Sequence, residues 1–155
     1  MPGTLPNELK VLCLVADAPV AGAWVTVTLH MRGKTDFVSF HGPADDDGTV
    51  LVTAGDILAF AKRNREFAPG DYLDPEADCT GSLTLTPLTP DAARAATKFA
   101  TMFRDRLHYP ETFVGDLRAL ITRLKPHEGQ DMALTLVETD PPEAGQSVRL
   151  RRRPL

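Results

Sequence analysis

Residues 16–29, ADAPVAGAWVTVTL, hold the pattern on which the fold is read. Asp17 and Pro19 favour a tight turn and Gly22 tolerates unusual backbone angles, so the segment opens as a turn. Directly after it Ala23, Val25, Val27 and Leu29 alternate with Trp24, Thr26, Thr28 and His30, the two-residue period of a half-buried strand. Upstream, LKVLCLVA places Leu9, Val11, Cys13 and Val15 on one face and Leu12, Leu14 and Ala16 on the other, which predicts a central strand covered on both sides. Downstream, GKTD is a turn, FVSFH a third strand, and ADDDG a hairpin loop into TVLVT.

Beyond residue 55 the period lengthens. GDILAFAKRNREF offers Asp56 as an N-cap and groups Ile57, Phe60 and Ala61, which predicts a helix near 56–66. APGDYLDPEADCTG is loop by composition, and SLTLTPL returns to period two with Leu83 and Leu85. Thr89 then caps a helix with Pro90 at its first position and an apolar stripe of Ala92, Ala96, Phe99, Phe103 and Leu107. A second helix restarts at Pro110, carries Phe113, Val114, Leu117, Leu120, Ile121 and Leu124, and is stopped by Pro126, so that 89–125 reads as a helical pair. The tail, 131–153, reads as a terminal hairpin with Leu134 and Leu136 opposite Val148 and Leu150.

The expected architecture is therefore α+β, a single domain over 1–155. It comprises an antiparallel β-sandwich core at 9–88, two added amphipathic helices and a C-terminal β-hairpin. With 155 residues, 43% of them hydrophobic and 25% charged, the chain can bury a core without staples. Seventeen basic against 21 acidic residues leave a net charge of −4, which argues against nucleic acid or an anionic membrane surface as partner. MPGTLPNELK lacks the basic and apolar regions of a leader, and no stretch approaches the roughly 18 apolar residues of a membrane span, so a cytoplasmic protein without membrane attachment is expected. Cys13 and Cys79 lack the close spacing of a zinc or dithiol motif and are read as free thiols, with a disulfide the alternative for an exported chain.

The succession D-x-P-V-x-G-A-x-V-T-V followed by D-D-G-T-V-x-V-T resembles the start of a carboxypeptidase-regulatory or transthyretin-like β-sandwich domain. Pro19, Val20, Gly22, Ala23, Val25 and Val27 match the first part, and Asp46, Asp47, Gly48, Thr49 and Val52 the second. The resemblance covers residues 9–88. Such domains place a glycine-tyrosine pair before their last strand, whereas PGDYLD here puts Gly70 and Tyr72 one residue apart. The resemblance implies the fold and, through it, a non-catalytic docking or assembly module, a small subunit or adaptor of a larger bacterial-type complex. Its partner would be a protein, and it would need no cofactor. Homo-oligomerisation stays open.

Two groups of residues are candidate contact surfaces. Arg149, Arg151, Arg152 and Arg153 concentrate positive charge at the end of an acidic chain, where they can grip an acidic partner or a phosphate, or simply protect a strand edge. Phe67, Tyr72 and Leu73 stand among acidic residues, as aromatic anchors in a polar rim do. The enzymatic alternative is a small hydrolase or metal-dependent enzyme. It would use His30 and His41, at the ends of neighbouring strands, with the Asp45–Asp47 loop, whose oxygens suit a hard cation. Hydroxyisourate hydrolases resemble the fold but end in Tyr-Arg-Gly-Ser where this chain ends RRRPL, and no G-x-S-x-G, P-loop or G-x-G-x-x-G occurs.

Overall fold

A computed structural model describes residues 3–30, 36–63, 80–102 and 109–155. In chain order the elements are β1 (Gly3–Thr4), β2 (Glu8–Val15), β3 (Ala18–Pro19), β4 (Val25–His30), β5 (Phe37–His41), β6 (Thr49–Thr53), α1 (Ala54–Arg63), β7 (Thr80–Pro87), α2 (Pro90–Met102), α3 (Phe113–Leu124), β8 (Asp131–Asp140), β9 (Val148–Leu150) and β10 (Arg153–Pro154). They form two five-stranded sheets. In the first, β7 pairs with β4, which pairs in turn with β5, while β1 and β9 also join β7. In the second, β2 lies between β8 and the consecutive partners β6 and β3, with β10 outside β8. The fold is α+β, as the two periodicities of the sequence require.

One apolar cluster is shared by the sheets. Val25, Val27 and Leu29 of β4 and Leu83 and Leu85 of β7 join Leu9, Val11, Cys13 and Val15 of β2, Val50 and Val52 of β6, and Met132 and Leu134 of β8. Each such aliphatic side chain, removed wholly from water, contributes about 1.5–3 kcal/mol. β2 is central, flanked on both edges, but it is not covered on both faces: Leu12 and Leu14 are only half-buried and Lys10 is exposed. Leucines at alternate positions make a second face apolar without requiring a second layer over it. No helix among the described residues is long and apolar enough to cross a membrane.

The helices follow their local signals with shifts of a residue or two. α1 starts at Ala54 because Thr53, not Asp56, is its cap: Thr53 Oγ1 accepts the Asp56 N–H at 3.0 Å. Asp56 sits instead in the first turn, where its charge favours the helix dipole. α2 begins as expected, the Ala92 N–H donating to Thr89 Oγ1 at 3.3 Å. Its buried stripe, however, is Ala93, Ala96 and Ala100, and Phe99 is 41% exposed. Alanine weighs little in an apolar pattern, so the bulkier Phe99 drew the predicted stripe one position off; Phe103 and Leu107 lie outside the described residues. α2 packs on α3, which buries Phe113, Leu117, Leu120 and Leu124.

Two expected hairpins are crossovers. β5 and β6 belong to different sheets, so ADDDG carries the chain from the first to the second. Likewise 131–153 is no hairpin: β8 pairs antiparallel with β2, β9 crosses to pair parallel with β7, and β10 returns to β8, with Arg153 opposite Met132. Alternation identifies a strand but not the strand it pairs with.

Candidate functional site

The outer face of the first sheet is set by its register. Thr26 faces Thr86 and Thr28 faces Thr84 across the β4–β7 ladder, Thr28 also faces Val38 on β5, and Thr84 faces Arg149 on β9. Partners in register share a face, so Arg149, Thr84, Thr28 and Val38 form one row, with Thr86, Thr26 and Phe40 in the next. The α3 end covers the Phe40 side: Phe40 lies 6.1 Å from the Phe113 ring and 6.0 Å from Tyr109, which stacks on Phe113 at 4.2 Å. Trp24 meets Phe113 edge-on at 4.9 Å. Burial lifts the Tyr109 hydroxyl to about 12, so it stays neutral in this aromatic cluster.

The threonine rows remain open as the floor of a groove of about 460 Å³. His30, Arg151, Arg153 and the start of α2, at Thr89 and Ala92, complete its lining, to which no carboxylate contributes among the described residues. His30 is held at both ring nitrogens: Nδ1 lies 2.9 Å from Asp36 Oδ2, and Nε2 lies 2.9 Å from Thr84 Oγ1. Thr84 itself is 7% exposed. Arg151 is pinned by its N–H to Leu85 O at 2.9 Å, and Arg153 by pairing with Met132. Among the described residues neither guanidinium has an acidic partner, whereas Arg94 is paired with Asp91 and Lys10 with Glu138. A second depression of about 470 Å³, between α2, α3 and the C-terminal residues, sets Asp91 and Glu128 against Arg94 and Lys125 and so favours neither sign of ligand.

The predicted site residues divide accordingly. Arg151 and Arg153 join His30 in the groove, Arg149 stands at the end of the Thr84–Thr28 row outside the lining, and Arg152 is exposed, also outside it. Phe67, Tyr72 and Leu73 lie outside the described residues, as does Cys79. Cys13 is a buried free thiol that burial pushes up to about 12. The His30–His41 pairing of the enzymatic alternative is not assembled. In the antiparallel ladder His41 faces Val25, five positions from His30, or about 17 Å along the strand. His41 bonds Ser39 Oγ through Nε2 at 2.9 Å instead, and burial pushes its imidazole down to about 4, against the opposing pull of Asp56.

Asp45, Asp46 and Asp47 are exposed, and their loop is closed on itself. The Gly48 N–H donates to Asp45 O at 2.9 Å, and the Thr49 N–H donates to Asp47 Oδ1 at 2.9 Å, which holds that carboxyl below its ordinary range. Among the described residues no three His, Cys, Asp or Glu side chains are grouped to hold a metal. The groove's threonines were missed by sequence reasoning, although a T-x-T step occurs in both VTVTL and SLTLTP. No family model matches the chain, and no curated protein or solved structure matches it either.

Proposed function

We propose that the chain is a transthyretin-like β-sandwich with two added helices, and that it works as a non-enzymatic protein-interaction or assembly module whose arginine-lined groove takes an acidic segment of a partner protein. The observation that carries this reading is the lining, to which no described residue contributes a carboxylate. In a chain of net charge −4, two arginines with no acidic partner among the described residues stand over a floor of hydroxyls. Backbone pairing at Leu85 and Met132 also fixes the main chain that carries these arginines, so binding orders less than it would on a loose tail. The test is affinity capture from lysate with the intact protein and with an Arg151→Ala/Arg153→Ala variant, at low and high salt. A partner that is lost from the variant and weakened by salt supports the reading, since exposed charges are screened within about 10 Å at 0.1 M. The same partner retained by both proteins would place its docking surface elsewhere.

A second reading, a small hydrolase, is favoured by the Asp36, His30, Thr84 series, which follows the order of a carboxylate, base and hydroxyl relay. Thr84 lies mid-strand, paired on one edge with Thr28 and on the other with Arg149, so the neighbouring amides serve the ladder rather than an oxyanion. Hydrolysis of an activated ester that disappears in both His30→Ala and Thr84→Val would favour this reading over the module.

A further inference from the structure

We infer that the groove selects a phosphate monoester over a carboxylate, which rests on the reading above that this groove is the binding site. Charge is the first reason. A phosphate monoester carries between −1.5 and −2 at neutral pH, roughly what two guanidinium groups neutralise, whereas one carboxylate would leave the second arginine uncompensated. Donor number is the second. Three terminal phosphate oxygens accept more hydrogen bonds than two carboxylate oxygens, and the described lining offers donors to meet them: Arg151, Arg153 and the hydroxyls of Thr26, Thr28 and Thr86 among them.

Geometry is the third. The four threonines stand at the corners of a rectangle of roughly 7 Å along the strands by 5 Å across them, on a scale that suits one tetrahedral oxyanion and its hydrogen bonds. His30 completes the set through Thr84. Nδ1 lies against Asp36 and Nε2 against Thr84 Oγ1, so the imidazole fixes where the Thr84 hydroxyl stands on the floor of the groove. His30 is thus a positioning residue, and Asp36 fixes its orientation.

The experiment is amide-resolved NMR titration of the full chain with four probes: inorganic phosphate, glycerol phosphate, a blocked phosphoserine peptide, and the same peptide carrying glutamate. Shifts confined to β4, β7 and residues 149–153, with the phosphoserine peptide binding at least tenfold more tightly than the glutamate peptide, are expected. Arg151→Met and Arg153→Met should each weaken it by about tenfold or more, as loss of a charge-assisted hydrogen bond does. Thr28→Val, nearly isosteric, should remove part of the phosphate preference while the spectrum elsewhere stays unchanged. Glycerol phosphate binding as tightly as the phosphopeptide would identify a small metabolite as the source of the ester; tighter peptide binding would identify a modified protein. Equal affinity for the glutamate peptide would overturn the phosphate selectivity and leave the module reading standing. No probe binding, with a partner still captured through the arginines, would also overturn it. No probe and no captured partner would remove both.

Discussion

His41 offers the sharpest test of the packing between β5 and α1. Burial lowers its imidazole from an ordinary value of 6.5 to about 4, with Asp56 pulling in the opposite direction. The unfolded chain therefore binds this proton more tightly than the folded one, and stability falls as pH drops from the ordinary value toward the folded value. His41's share of stability is complete above about pH 6.5 and is lost progressively down to about pH 4. A displacement of that size corresponds to about 3 kcal/mol in full, of which about 2 kcal/mol should be lost between roughly pH 7 and pH 4.5. Carboxylates such as Asp47 change stability in the same direction, so the informative quantity is a difference between proteins. Urea denaturation of the native sequence and of His41→Gln, followed at both pH values, should show the variant losing about 2 kcal/mol less on acidification. Parallel losses in the two proteins would mean that His41 takes up its proton in the folded state as readily as in the unfolded chain, and would refute the burial argument.

Two glycines should respond in opposite directions. Gly48 has a φ of +82°, and a Cβ there would lie 3.0 Å from Pro19 Cβ and Val20 N, so Gly48→Ala should cost about 1–3 kcal/mol in urea denaturation. Gly115 is exposed within α3 with nothing within 4 Å of such a Cβ, and Gly115→Ala should add up to about 1 kcal/mol by the same measurement. Cys13, buried and with its thiol raised to about 12, should resist iodoacetamide near neutral pH until denaturant is added. Mass spectrometry of the peptide containing Cys13 reads this directly, and rapid labelling of the native protein would contradict its placement.

What could be read from the sequence was what is local. The alternation of Val25–His30, the Thr89 cap with Pro90, and the apolar positions of α3 are each encoded within a few residues, and each element forms there. Partner choice is not local. β5 and β6 read as a hairpin because a turn-like ADDDG joins them, yet they enter different sheets; β9 reads as the mate of β8 and crosses to β7. The same limit hid the groove. His30 and Thr84 are 54 residues apart, and only the β4–β7 register places two T-x-T steps side by side. It also put His30 and His41 together on paper, because two strand ends look adjacent until the antiparallel direction separates them.

The pairing of β2 with β8 constrains how the molecule is made. Glu8 meets Asp140 and Val15 meets Met132, so the central strand of the second sheet waits for one of its partners across more than a hundred residues of chain. During synthesis Leu9, Val11, Cys13 and Val15 leave the ribosome well before β8, their long-range partner, which follows more than a hundred residues later. Closing so long a loop comes before the contacts that compensate for it, which slows folding and prolongs the exposure of an apolar edge. Fragments ending before residue 131 should accordingly fail to reach a native second sheet, and cooperativity in this protein begins only once β8 is present.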